Sequence, residues 1–220
     1  MHPFPLKDRV YNHIREYLHP VFGPIQRKKL NNTDFTIISN NCWAGIVYEH
    51  YHINKATPTV GLYFFPDDYL KFITNLKYYL SQEMIVTTYE ESKYKEEIVR
   101  RHEEYAPIGK LGDIELVFLH YKDPVIAKDK WERRVKRTNW QNIIIKFSYM
   151  NGCNDEHVHK FEKIKGIKKF MFVTKPFPEY SDCIEIPGNS AGQIENDTFY
   201  YDRYININNL INSPKTPYMF

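Results

Sequence analysis

Cys42 stands where chemistry is easiest to place. It follows Ser39-Asn40-Asn41 at the end of an apolar run (Phe35, Ile37, Ile38) and precedes Trp43-Ala44-Gly45. Read as a strand running into a helix, this order puts the thiol at a helix N-terminus. Free backbone N–H groups and the positive helix end there lower a thiol pKa and hold an oxyanion. Asn40 and Asn41 add amide donors for the same anion. The expected chemistry is attack by a Cys42 thiolate, part-ionised near neutral pH, on an acyl or phosphoryl centre. The competing reading is a packed thiol, since free cysteine is among the most buried residue types.

A thiol nucleophile needs a base, and His120 is the first candidate. Asp113 and Glu115 cannot orient it along a regular strand. At about 3.3 Å per residue Asp113 is roughly 23 Å away, and both acids fall on the opposite face. An acceptor for His120 is therefore sought in Asp67, Asp68 or a backbone carbonyl. His157 and His159 are secondary bases, with a solvated helix face as their plainer explanation. Trp43, Asp67, Asn151 and Lys175 complete the expected substrate-binding set with the two asparagines. In WERRVKRTNW (131–140), Arg134 and Arg137 lie three apart on one helix face, with Trp131 and Val135 on another. One of these arginines is expected to reach an anionic ligand, while Arg133 stays in solvent.

These residues matter together only if the fold gathers them. Leu6, Val10, Ile14 and Leu18 repeat every four residues, which predicts a helix ended by His19-Pro20. Strands are expected over 35–39, 57–65, 83–89, 112–121, 142–148 and 168–174, with a short edge segment over 181–187. Helices are expected from Trp43 to about Tyr51, from Pro66 to Leu80, over 90–104 and 124–137, and after an N-cap at Asn154 or Asp155. Residues 107–112 read as a turn-rich loop, and the tail as a docked short helix. The alternation predicts an α/β three-layer sandwich with a mixed, mostly parallel sheet. One domain over 1–220 is expected, with 90–110 as its excursion. If the strands are parallel, the polar groups that follow them collect at one carboxyl edge, where open α/β sheets bind ligands.

Composition bounds the function. The 220 residues carry 30 basic and 27 acidic side chains, a net charge of +3. That balance argues against nucleic acid as the main partner. Cys42, Cys153 and Cys183 cannot all pair within one chain and have no metal-site spacing, so a reducing cytoplasm is expected. No metal and no cofactor are expected, since neither a GxGxxG nor a phosphate-loop motif is present. No run of 18 apolar residues offers a membrane span.

Five segments in order, FTIISNNCWAG, PTVGLYFFPDDYLKFITNLKYYL, PIGKLGDIELVFLHYKD, KWERRVKRTNW and KPFPE, resemble the domain-of-unknown-function 1919 family from about residue 30 to the tail. Many of its members are described as bacterial exopolysaccharide or capsule biosynthesis proteins. The resemblance implies an intracellular α/β protein with a sugar or nucleotide-sugar ligand. It brings no catalytic residues with it. The expected activity is a transferase or hydrolase on a sugar precursor, with a non-catalytic binding protein for an acidic glycan or nucleotide sugar as the alternative. Where the family tends to Gly-Gly after Cys-Trp, this chain has Ala44-Gly45, which narrows any close backbone approach.

Overall fold

The computed structural model describes residues 6–200, 202–214 and 218. Its centre is a four-stranded parallel sheet in the order β1 (Thr36–Ser39), β5 (Ile143–Ser148), β6 (Lys168–Val173), β7 (Cys183–Glu185). The first three strands are almost wholly buried and correspondingly β-branched or aromatic. This is the composition of strands covered on both faces. On one face α2 (Trp43–His50) packs Trp43 against Phe170 and Phe172, with ring centroids 5.4 and 6.3 Å apart. On the other, Tyr69 of α3 (Pro66–Thr74) and Phe161 of α7 (Asp155–Glu162) sit 5.2 and 5.6 Å from Phe147. Two helical layers therefore enclose the sheet.

The other expected strands do not join it. β2 (Ile85–Thr87), β3 (Ile108–Leu111) and β4 (Ile114–Val117) form a separate antiparallel sheet. The expected 107–112 loop is largely β3, since Gly112-Asp113 is a tight turn with Gly112 at φ +59°. Residues 90–104 hold a 3-10 turn and the six-residue α5 (Lys95–Arg100) in place of one long helix. The Pro66–Leu80 helix breaks at Asn75 into α3 and α4 (Leu76–Ser81). The Tyr218 hydroxyl holds the break, accepting from Leu76 N at 2.8 Å and donating to Ile73 O at 2.9 Å. α1 runs Leu6–Arg27, past the expected stop, with Pro20 and Pro24 inside it. Pro20 and Glu16 are both exposed, so water can satisfy the carbonyl that loses its i+4 donor. α6 (Pro124–Val135) and α8 (Ile207–Asn212) lie as expected.

Residues 57–65 are the informative departure. They form no regular strand yet bind both sheets. Thr57 donates its hydroxyl to Ile37 O, and Thr59 Oγ1 accepts from Ser39 N at 3.1 Å. Two side chains thus replace a ladder along the open edge of β1. Further on, Tyr63 pairs antiparallel with Val117, and Phe64 N donates to Asn40 O at 3.0 Å. Pro58 and Gly61 are why the segment is not a strand: one lacks a donor, the other takes φ +76°. A Cβ on Gly61 would meet Tyr121 Cε2 at 2.6 Å.

Gly61→Ala is expected to cost about 2–3 kcal/mol of stability, combining left-handed strain with the clash. Gly152→Ala, at φ +88° with nothing within 4 Å of its Cβ, is the strain-only comparison, at about 1 kcal/mol. Urea unfolding of both variants measures the difference.

Candidate functional site

Four of the sequence-selected residues meet the 60–64 segment almost one carbonyl at a time. Arg134 Nη1 donates to Val60 O at 3.1 Å and to the Tyr121 hydroxyl at 2.7 Å. The main-chain N–H of His120 donates to Gly61 O at 3.0 Å. The Cys42 thiol donates to Leu62 O at 3.7 Å. Asn40 O receives Phe64 N. The segment is a ledge beside the carboxyl end of β1, and it brings Cys42 and the main chain of His120 to neighbouring carbonyls. The His120 side chain is exposed. Among the described residues no imidazole contacts the thiol.

Behind the ledge lies a buried charge pair. Lys146, from the apolar run of β5, and Asp197, from the tail, form a fully buried ion pair. The Ser148 hydroxyl donates to the same Asp197 oxygen. Asn41 closes the network. Its Oδ1 accepts from Lys146 Nζ at 3.0 Å, and its Nδ2 donates to Asp197 Oδ1 at 2.8 Å. The Lys146 ammonium lies 5.9 Å from the Trp43 ring centroid and 5.7 Å from that of Phe172. Burial pulls the lysine pKa below its ordinary value, with Asp197 opposing.

This network spends the groups expected to cradle an anion. Asn41 Oδ1 also accepts from Trp43 N at 3.2 Å, and Ser39 Oγ accepts from Ala44 N at 3.3 Å. The start of α2 is capped from within. Asn40 donates its amide to Ser148 O at 3.3 Å, leaving Oδ1 buried without a partner. Trp43 is fully buried as a packing anchor. The part-ionised thiol expected from the helix junction is not what the surroundings support. Desolvation pushes the Cys42 pKa up to about 11, with the Asp197 charge adding to it. Cys42 is half-buried and protonated.

The rim has a cation that composition did not single out. Arg101, just after α5, donates Nη1 to Asn151 Oδ1 at 2.7 Å. Its guanidinium lies over Tyr63 and Phe65, 5.6 and 5.3 Å from the ring centroids. Asn151 follows β5 at φ +60°, and His102, next to Arg101, takes φ +57°. Two non-glycine residues in the left-handed region thus flank one hydrogen bond. The turn that ends α5 delivers an arginine to this edge. Asp67 and Lys175 bind the N-terminal turn of α7. Asp67 Oδ1 lies 3.3 Å from His157 Nε2, and Lys175 Nζ lies 2.6 Å from Asp155 Oδ2. His157 Nδ1 accepts from Asn154 N at 3.1 Å in a capping box, so Nε2 carries the proton and His157 is no free base. Arg137 is exposed. Asp113, set aside on strand geometry, binds Lys71 and Tyr79. Among the described residues, no three His, Cys, Asp or Glu side chains gather to hold a metal ion.

With this geometry in place, comparison with known proteins is informative. The family model "Domain of unknown function (DUF1919)" matches residues 13–213. The chain belongs to this family. It is also 28% identical, over 214 residues, to an uncharacterized protein of Haemophilus influenzae, covering 93% of this chain and 96% of the relative. The matched span includes β1, the ledge, Lys146, Asp197 and Arg101, so the site lies wholly within the family region. Among the described residues no helix is long and apolar enough to cross a membrane.

Two measurements test this site. Alkylation of native protein is expected to be slow at Cys42 at neutral pH, rising about tenfold per pH unit toward the thiol pKa of about 11. Cys183, pushed up to about 12 by burial, is expected to be slow at neutral pH as well. A Cys42 rate that levels off near neutral pH contradicts the protonated thiol. Lys146→Met strands Asp197 as a buried charge and is expected to cost about 3–5 kcal/mol, while Lys146→Met with Asp197→Leu recovers much of it. Thermal unfolding of the single and double variants reads the coupling.

Proposed function

We propose that this chain binds an anionic sugar precursor, an acidic glycan or a nucleotide sugar, at the carboxyl edge of its parallel sheet. It would do so in the cytoplasm, as part of exopolysaccharide or capsule assembly. The observation that carries this reading is Arg101. Its guanidinium is half-exposed, braced on two aromatic rings, and tied by one nitrogen to Asn151. Its other N–H groups point to no partner among the described residues. A planar cation held this way suits two oxygens of a phosphate or carboxylate. The three free cysteines fit a reducing compartment.

The geometry favours binding over a Cys42-dependent transferase or hydrolase. A nucleophilic thiol needs a lowered pKa or an adjacent base. Cys42 has its pKa raised and donates to a carbonyl. It serves as part of the wall beneath the ledge, with His120 fixed through its main chain.

Titration calorimetry with a panel of uridine, guanosine and cytidine nucleotide sugars tests the reading. Arg101→Ala is expected to weaken binding by roughly tenfold or more, the loss of a charge-assisted contact. Arg101→Lys should recover part of it, and Cys42→Ser should bind within about twofold of the parent. No binding across the panel, or equal binding by Arg101→Ala, overturns the proposal. Turnover that Cys42→Ser abolishes would restore the nucleophile.

A further inference from the structure

Among the described residues, the outer face of α1 has no protein partner. Leu6, Val10, Ile14, Tyr17, Val21 and Ile25 are spaced by four, four, three, four and four, and are 50% to 80% exposed. At 3.6 residues per turn they fall within an arc of about 100°, the width of an ordinary core-facing stripe. In a 22-residue helix this stripe is roughly 30 Å long. The helix is fixed to the body from the opposite side. Gly23 lies so close to the turn after α2 that an added Cβ would meet His52 Cβ at 2.5 Å. His19 is buried, and Arg15 reaches Asp202 at 3.2 Å. The apolar stripe is therefore held outward on a braced helix.

Charge decides what covers it. By sequence, residues 6–29 carry six Lys or Arg and two Asp or Glu, a net +4. The whole chain is +3, so everything outside this segment is net −1. The basic excess of the protein is confined to α1 and the Arg27-Lys28-Lys29 run that ends it. A second copy pairing stripe to stripe would bring this +4 against another +4, in either direction. An apolar face of Ile, Val and Tyr with a basic helix end matches an anionic bilayer surface, where the side chains enter the headgroup boundary and the cations meet lipid phosphates. We propose that α1 docks this protein flat onto an anionic membrane surface, with the stripe in the interface and no segment crossing it.

Vesicle co-flotation of the full chain tests this directly. One vesicle population is phosphatidylcholine alone, the other one-third phosphatidylglycerol. The protein is expected to float with the anionic vesicles roughly tenfold more than with the neutral ones and to be released by high salt. Ile14→Asp with Val21→Asp changes only exposed positions. It should keep the circular dichroism spectrum and unfolding midpoint of the parent while losing flotation. Lys28→Glu with Lys29→Glu should weaken flotation and leave the fold unchanged. Failure to float with either vesicle overturns the proposal, as does equal flotation with both. Sedimentation showing a dimer that Ile14→Asp with Val21→Asp dissolves would overturn it in favour of a second copy.

Discussion

The buried pair of Lys146 and Asp197 is the constraint around which the site is arranged. Removing two charges from water costs several kcal/mol per ion and is offset only by close geometry and full hydrogen bonding. The structure supplies both. Ser148 and Asn41 bind the carboxylate, Asn41 binds the ammonium, and Trp43 and Phe172 line it. Meeting these demands fixes the Asn41 side chain. Asn41 in turn caps Trp43 N, and the sulfur of Cys42 is left between a buried anion and the ledge. The corner has its shape because the charge behind it must be satisfied. The same network explains why a thiol at a strand-to-helix junction is not activated: the amide donors and the first helix N–H groups are already committed.

A second buried lysine repeats the device on the other face. Lys169 alternates with Phe170, the register partner of Lys146, and so points the opposite way. It meets Glu162 at 3.0 Å and Asp182 at 2.8 Å. Glu162 ends α7 and Asp182 precedes β7, so this cluster ties helix and edge strand to the middle of the sheet. Between the two sheets the ledge does comparable work through backbone groups. It receives Arg134, His120 and Cys42 at Val60, Gly61 and Leu62, and only a glycine fits where the chain passes Tyr121.

Much of the architecture was legible because it rests on local pattern. Ile-rich β1 and β5, Lys168–Val173, the capped start of α7 and the Arg-rich α6 follow from periodicity and cap chemistry. What failed depended on partners distant in sequence. The 57–65 run reads as a strand, yet Thr57 and Thr59 bond an edge through their hydroxyls. The break at Asn75 is held by Tyr218, more than 140 residues on. His120 was placed on the main sheet because strand patterning does not say which sheet a strand joins. Lys146 did leave a signal: a lysine inside IIIKFS must have a buried partner or not be a strand residue. Nothing local pointed to Asp197, in a loop of ordinary polar composition. Arg101 was equally silent, since its role comes from a hydrogen bond to Asn151, 50 residues on.

The late position of Asp197 has a consequence for the order in which the protein can be made. Asp197 lies 51 residues after Lys146, so a chain leaving the ribosome presents β1 and β5 before Asp197 emerges. Until then Lys146 has no anion, and the centre of the sheet cannot close around it without stranding a charge. Nor can the α3–α4 junction receive its hydroxyl before Tyr218 arrives. The early strands must wait, loosely associated and with the lysine still wet, until the tail is laid across them. Emerging polypeptides of this kind expose apolar strands for the whole of that interval, which is when aggregation competes with folding. The stretch that carries Asp197 thus acts as a timing element: the dry, finished core forms only once that stretch has emerged.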